Sequence, residues 1–178
     1  MTEPPRDETI AAAIHQPVEA LVEHEGNTWT LVMRRRFAHP PERLWRMLTE
    51  PDRLGRWSPI VPDRPLTAPG PATSRENPGD DPVDTEVLLV DPPHRLVHRW
   101  AADVLSWTLT PGATGTVLEL RQTTGDRGSS VAMAAGWQVC LGRLAAEDGT
   151  ARERPTGRRA LAYGWQELYE RYEGDFGE

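Results

Sequence analysis

Residues 85–146 contain four short stretches of alternating apolar and polar side chains, followed by one longer stretch with helical periodicity. Alternation with a period of two predicts β-strands, and a repeat near 3.6 residues predicts a helix. The Pro and Gly residues between the stretches are typical of tight turns, which join antiparallel strands. The predicted strands cover residues 85–90, 95–101, 104–110 and 115–123, and the helix covers residues 129–146. A chain with this order has to bury one face of a β-meander beneath a helix.

The N-terminal part of the chain predicts a hairpin and two short helices. Strands at residues 18–24 and 28–38 flank Gly26-Asn27, a pair that favours a hairpin turn. A helix follows from Pro41, because proline is well tolerated in the first turn of a helix. A second short helix is predicted at about 51–57. Seven of the 17 prolines lie in residues 58–82, which we expect to be irregular with one edge strand.

The chain of 178 residues suits a single domain with a substantial core. We expect a flexible N-terminal segment at residues 1–16, one domain at residues 17–174 and a tail at residues 175–178. Within the domain, a polar linker at 147–157 precedes a last amphipathic helix at about 158–172. The predicted fold class is α+β, with a curved antiparallel β-sheet wrapped on a long C-terminal α-helix.

Several classes of protein are disfavoured by composition. No apolar run approaches the roughly 20 residues of a membrane-spanning helix, and the N-terminus lacks the basic start of a secretory signal. Cys140 is the only cysteine, so no intramolecular disulfide forms and a cytoplasmic location is expected. The net charge of -7 is concentrated at the two ends, which leaves a nearly neutral body and does not favour nucleic-acid binding.

Three sequence segments together resemble a known family. They are RRFAHPPERLWRMLTEPDRLGRW (Arg35–Trp57), VDPPHRLVHRW (Val90–Trp100) and GWQVCLGRLAA (Gly136–Ala146). In this order they resemble the activator of Hsp90 ATPase homologue 1-like family, within the START/Bet v 1-like superfamily, also called SRPBCC or polyketide cyclase-like. The resemblance implies a helix-grip fold with two short helices after the first strands and a deep cavity between the sheet and the long helix. It also implies small-molecule ligands, since members of the superfamily bind lipids, polyketides, hormones and drugs, and some cyclise or dehydrate polyketides.

The strand and helix phases predict which side chains line such a cavity. In the meander, alternate residues share one face, and in the long helix the residues of one stripe do so. Aromatic side chains on these faces either pack as core or line a pocket, and in this fold the two interpretations overlap. The predicted cavity residues are Trp57, Leu96, His98, Trp100, Leu105, Trp107, Leu120, Gln122, Met133, Trp137, Cys140 and Leu141.

His98 is the best candidate for a catalytic residue, because an inward imidazole can act as acid, base or ligand partner. The alternative is a core histidine bonded to a neighbour such as Gln122 or Gln138. His94 and His98 share a strand face, but no third ligand is evident, so we predict no metal site. Cys140 lies mid-helix among apolar residues, which favours an inert thiol. The sequence has no nucleophile elbow, dinucleotide fingerprint or P-loop, and no cofactor is predicted.

Three functions follow from the sequence and the resemblance. The first is the binding of a small hydrophobic or aromatic molecule without catalysis, with His98, Gln122 and Gln138 orienting its polar groups. The second is a polyketide cyclase- or dehydratase-like enzyme that uses His98. The third is a chaperone-interacting module, suggested by the family's name. We expect no nucleic-acid partner and no membrane insertion, and an exposed edge strand would favour a homodimer.

Overall fold

The computed structural model describes residues 6–177; residues 1–5 of the predicted flexible segment and residue 178 of the predicted tail lie outside the described residues. In the described part, the strands are β1 (Glu19–Glu25), β2 (Thr28–Phe37), β3 (Val61–Pro62), β4 (Thr73–Arg75), β5 (Val83–Asp84), β6 (Val87–Asp91), β7 (Arg95–Trp100), β8 (Asp103–Gly112) and β9 (Gly115–Thr124). A curved antiparallel sheet has the order β1-β2-β9-β8-β7-β6, and a small sheet has the order β3-β4-β5.

The α-helices of the described residues are α1 (Glu8–Ile14), α2 (Pro41–Thr49), α3 (Pro51–Leu54), α4 (Ser130–Ala145) and α5 (Trp165–Phe176). Short 3-10 helices precede α4 at Arg127–Ser129 and precede α5 at Gly157–Tyr163. The predicted α+β class and the order of hairpin, two short helices, meander and long helix are confirmed. No helix of residues 6–177 has the length and apolar character needed to cross a membrane.

The register of the meander places the predicted faces together. Strands β8 and β9 pair so that Leu105 lies opposite Gln122 and Trp107 opposite Leu120. These four side chains are buried beneath α4. On the same strands the intervening residues are more exposed, as the period of two requires. The sheet therefore has one core face, which α4 covers.

Residues 58–82 differ from the prediction of an irregular stretch with one edge strand. They contribute β3 and β4, and β5 follows directly to complete the small sheet. Strands of two or three residues show no measurable alternation, so the sequence could not indicate them. A bridge between Gly70 and Val87 joins this segment to β6, the edge strand of the main sheet. The proline-rich segment is thus a folded flank of the domain.

Residues 8–14 of the predicted N-terminal segment 1–16 form helix α1. Helix α1 packs against α4, with Ile10 and Ile14 completely buried. Gly142 of α4 makes this approach possible, because a Cβ at that position would overlap Ile14. Asp7 caps α1 by accepting hydrogen bonds from the backbone N–H groups of Thr9 and Ile10. The N-terminal helix is therefore part of the core.

The C-terminal region also differs from the prediction of one helix at about 158–172. Gly164 has a left-handed backbone (φ 84°), and it separates the 3-10 helix Gly157–Tyr163 from α5. A side chain at this position would be strained, so the glycine sets the break. Helix α5 runs on to Phe176 and includes part of the predicted tail, because Tyr172 and Phe176 pack on the core.

Candidate functional site

The space between the sheet and α4 is occupied by a chain of tryptophan rings. The ring centroids of Trp57 and Trp107 are 5.9 Å apart, those of Trp107 and Trp137 are 5.4 Å apart, and those of Trp137 and Trp100 are 5.7 Å apart. The first two pairs meet edge to face, an arrangement that aromatic quadrupoles favour. The rings therefore pack against one another in the interior in which the resemblance implied a deep cavity.

His98 lies within this packed interior and is hydrogen-bonded through both ring nitrogens. The Trp107 Nε1–H donates to His98 Nε2 at 3.0 Å, and His98 Nδ1 lies 2.9 Å from the carbonyl oxygen of Arg99. An indole N–H can only donate, so Nε2 is the acceptor and Nδ1 carries the proton. Burial lowers the pKa of His98, which favours the neutral imidazole.

The two buried glutamine side chains are also bonded within the protein. Gln122 Oε1 accepts from Trp137 Nε1 at 2.7 Å, and its amide donates to Asp103 Oδ2 at 2.8 Å. Gln138 donates to the carbonyl oxygen of Ile14 at 3.0 Å and accepts from the Tyr172 hydroxyl. The partner of His98 is thus Trp107, whereas the sequence had suggested Gln122 or Gln138. These amides hold the tryptophans and α1 in place.

An open cleft of about 390 Å³ lies at one flank of α4. It adjoins Trp137 and Trp100, the last pair of rings in the row of tryptophans. Its floor is formed by Trp100 of β7 and by side chains along α4, and its roof by residues that follow α4. The lining residues are Pro59, Glu76, Trp100, Ala132, Met133, Gly136, Trp137, Cys140, Pro155, Thr156, Gly157, Ala160 and Trp165. Its volume lies within the roughly 300–1,000 Å³ of small-molecule sites.

The structure brings four of the predicted cavity residues to this cleft, namely Trp100, Met133, Trp137 and Cys140. The other eight do not line it and are buried in the interior: Trp57, Leu96, His98, Leu105, Trp107, Leu120, Gln122 and Leu141. Periodicity identified the inward faces, but it could not show how completely the indoles fill the space between them.

Several lining residues were missed by the sequence analysis. Trp165 and Ala160 come from the C-terminal region, and Pro59 and Glu76 come from the proline-rich flank. The one available signal was Trp165, an aromatic residue in the middle of the predicted last helix. No local pattern indicates Glu76, because its position depends on how the small sheet folds back against α4.

Arg154 joins the roof of the cleft to its proline-rich side. Its guanidinium donates to the carbonyl oxygen of Glu76 at 2.6 Å and lies 3.3 Å from Asn77 Oδ1 and 3.4 Å from the carbonyl oxygen of Ser58. These acceptors are neutral, so the arginine ties two segments together without pairing with a carboxylate there. The two walls of the cleft are therefore linked at this residue.

Ion pairs fix the roof to the rest of the fold. Arg143 of α4 pairs with Glu147 at 3.0 Å, with both side chains almost fully buried. Arg143 also donates to the carbonyl oxygen of Glu153 at 2.9 Å, and Glu153 pairs with Arg159 at 2.7 Å.

A second anchor joins the roof to the N-terminal part of the chain, where Arg152 pairs with Asp7 at 2.9 Å. The roof is thus anchored to α4 and to the start of α1.

Cys140 is the thiol in the cleft lining. Burial, and secondarily the charge of Glu76, raise the pKa of Cys140 to about 12, and Arg154 opposes this shift. The thiol is therefore protonated near neutral pH, and a protonated thiol is a poor nucleophile. Its place in the cleft is that of a small apolar side chain.

A larger groove of about 1,050 Å³ lies between β1 and the end of α5. It is open to solvent, and its walls include Arg127, Glu173 and Asp175. The smaller cleft has a denser aromatic lining, so we treat it as the candidate site. Among residues 6–177, no three His, Cys, Asp or Glu side chains converge as a metal site would require.

Comparisons with known proteins give a family match and several structural matches. The sequence profile of the family described as "Activator of Hsp90 ATPase homolog 1-like protein" matches residues 38–147. No curated protein matches the chain significantly.

The fold is similar to a conserved protein of unknown function from Enterococcus faecalis, with a TM-score of 0.71 and 18% identity over 94% of each chain. CalU16 from Micromonospora echinospora gives a TM-score of 0.67 and 23% identity over 89% of this chain and 98% of its own. DynU16, a protein of the dynemicin biosynthetic locus, gives 0.58 and 29% over 65% of this chain and 45% of its own.

Proposed function

Since the chain belongs to the activator of Hsp90 ATPase homologue 1-like family and has its START/Bet v 1-like fold, we propose that it binds a small hydrophobic or aromatic molecule in the cleft beside α4. The observation that carries the proposal is the aromatic lining, in which Trp100, Trp137 and Trp165 surround a space of about 390 Å³. Removing apolar ligand surface from water would supply most of the affinity.

The site that we propose for the ligand differs from the site expected from the sequence. His98, Gln122 and Gln138 are bonded within the protein, so they do not supply the polar contacts of our proposal. Those contacts fall instead to cleft residues, of which Glu76 and Thr156 carry polar side chains. The proposed ligand therefore contacts the flank of α4 and the C-terminal roof rather than the centre of the sheet.

A second candidate is an enzyme that acts on a biosynthetic intermediate such as a polyketide. The similarity to DynU16, whose description refers to a biosynthetic locus, favours it. Such an enzyme needs an acid or base in contact with its substrate, and the hydrogen bonds of His98 argue against that residue. Glu76 would take the role, and Glu76→Gln would then abolish turnover while leaving binding of neutral ligands intact.

The chaperone-interacting function is supported by the family description alone. A cognate Hsp90-type chaperone whose ATPase rate rises on addition of this protein would favour it over the ligand-binding function. An unchanged rate would leave the cleft as the basis of function.

Mass spectrometry of freshly purified protein under native and denaturing conditions tests the main proposal. A tight ligand survives purification, and it gives an excess mass under native conditions only, because the folded chain holds it without a covalent bond. Gly136→Leu should remove the excess mass, since a side chain at this position extends toward Trp165 across the cleft. Gly174→Leu is the matched control, because the helical Gly174 has open surroundings. An excess mass that persists in Gly136→Leu would contradict this location of the site.

A further inference from the structure

We propose that the cleft selects an apolar or aromatic ligand that carries a protonated amino group, and that the Glu76 carboxylate binds this group. The inference rests on the proposed function and adds the chemical class of the ligand. Three observations carry it: the composition of the lining, the position of Glu76, and the hydrogen bonds of the neighbouring Arg154.

Glu76 supplies the one charged side chain in the cleft lining of the described residues. The other lining residues are apolar, aromatic or small, apart from the hydroxyl of Thr156 and the thiol of Cys140. Burying a carboxylate next to an apolar ligand is unfavourable unless a partner compensates for the lost water. A ligand with a matching positive charge is such a partner, whereas a neutral or anionic ligand is not.

The Glu76 carboxylate is available for such a partner. The residue is half-buried, and within residues 6–177 its side chain makes no hydrogen bond or ion pair. The charge of Glu76 acts on the Cys140 thiol in the lining and raises the pKa of that thiol. The negative charge of Glu76 therefore acts on a group of the cleft lining.

Arg154, a neighbouring cation, is engaged by other acceptors. Its guanidinium donates to the backbone carbonyl of Glu76, with Asn77 Oδ1 and the Ser58 carbonyl oxygen nearby, and it does not line the cleft. At Cys140, the effect of Glu76 is larger than the opposing effect of Arg154. Glu76 is thus the charge that the cleft lining itself presents to a ligand.

The surrounding indoles favour the same class of ligand. Trp100, Trp137 and Trp165 all contribute to the lining. Their electron-rich faces attract an ammonium group within about 6 Å, and tryptophan is the strongest of the aromatic residues in this respect. A carboxylate together with several indoles thus attracts a cation in two ways, and both are lost with a neutral ligand of the same shape.

The test is isothermal titration calorimetry with three probes that share one ring system. 2-Naphthylmethylamine, 2-naphthalenemethanol and 2-naphthoic acid are positive, neutral and negative at pH 7. We expect the wild-type protein to bind the amine at least about fivefold more tightly than the alcohol, and the acid most weakly. In Glu76→Gln, the preference for the amine over the alcohol should fall by at least about half, to the part that the indoles supply. The affinity for the alcohol should not change.

Asp81→Asn is the matched control. Asp81 lies in the same proline-rich flank, is exposed and does not line the cleft, so its variant removes the same charge at a different place. The preference for the amine should persist in this variant. An amine that binds no better than the alcohol, or a preference that Glu76→Gln leaves undiminished, would overturn the inference while leaving the proposed binding function in place. Failure of the wild type to bind any of the three probes would overturn both.

Discussion

Trp107 donates its indole N–H to Nε2 of His98 across the β7–β8 pair, at 3.0 Å, in the buried interior of the sheet. The bond fixes the histidine as the Nδ1–H tautomer, and this Nδ1–H donates to the Arg99 carbonyl oxygen. A histidine with this strand phase would be open to a ligand in an empty cavity. Here the tryptophan occupies that space, so the pair has a structural role.

Trp107→Phe tests this role. The change leaves a buried acceptor on His98 without its donor and removes packing against Trp57 and Trp137, so we expect a loss of about 2 kcal/mol in the free energy of unfolding. Urea denaturation measures it. The control is Trp29→Phe on the hairpin, where the ring is half-buried and the loss should be smaller. Equal losses in the two variants would contradict a special role for the His98 bond.

The stability of the protein should depend on pH through His98. Burial lowers the pKa of His98 in the folded state, so below about pH 6.5 the unfolded chain binds a proton that the folded chain does not. The contribution of His98 to stability is then complete above this pH and decreases as the pH falls toward the folded-state pKa, by at most about 1.4 kcal/mol per pH unit. The measurement is the difference in unfolding free energy between wild type and His98→Gln from pH 8 to pH 5. A difference that is constant over this range would contradict the prediction.

Two glycines of α4 should respond in opposite directions to alanine. At Gly142 a Cβ overlaps Ile14 of α1, so Gly142→Ala should destabilise the protein by about 1–3 kcal/mol. At Gly136 a Cβ meets only the Trp165 ring, at 3.9 Å, so Gly136→Ala should stabilise it by about 0.5–1 kcal/mol through the higher helix propensity of alanine. Thermal unfolding of the two variants provides the comparison. Stabilisation by both substitutions would show that helix propensity outweighs the overlap with Ile14. Destabilisation by both would contradict the prediction for Gly136.

Breaking the buried ion pair Arg143–Glu147 should lower the free energy of unfolding substantially. Glu147→Gln leaves the guanidinium of Arg143 without its carboxylate in a site where the Arg143 side chain is 1% exposed, and we expect a loss of about 3 kcal/mol. Glu19→Gln is the control, because Glu19 pairs with Arg34 on the surface and should lose at most about 0.5 kcal/mol. Chemical denaturation of both variants tests the difference. A small loss in Glu147→Gln would mean that the carboxylate adds little to the anchoring of the roof.

The main sheet could be predicted because its strands are long enough for alternation to be visible. Strands β8 and β9 have ten residues each, and Leu105, Trp107, Leu118 and Leu120 mark their inward faces clearly. The small sheet gave no such signal, since none of its strands exceeds three residues. Helix α1 is seven residues long, and its burial depends on a glycine distant in the sequence.

The cleft was only partly predictable for a related reason. Trp100, Met133, Trp137 and Cys140 follow from the periods of β7 and α4, which are local properties. Glu76 and Trp165 reach the cleft through tertiary packing of the small sheet and the C-terminal roof. The filling of the interior by indoles depends on ring orientations, which residue spacing does not encode.

The anchoring of the roof has a consequence for folding during synthesis on the ribosome. The salt bridge of Asp7 with Arg152 and the contact of Ile14 with Gly142 join residues that are synthesised far apart in time. Helix α1 emerges early, but its docking site is translated only after the entire meander, and the roof of the cleft comes later still. Contacts of such long sequence separation form late and slowly. A nascent chain therefore has a complete cleft only after the last lining residue, Trp165, has been synthesised.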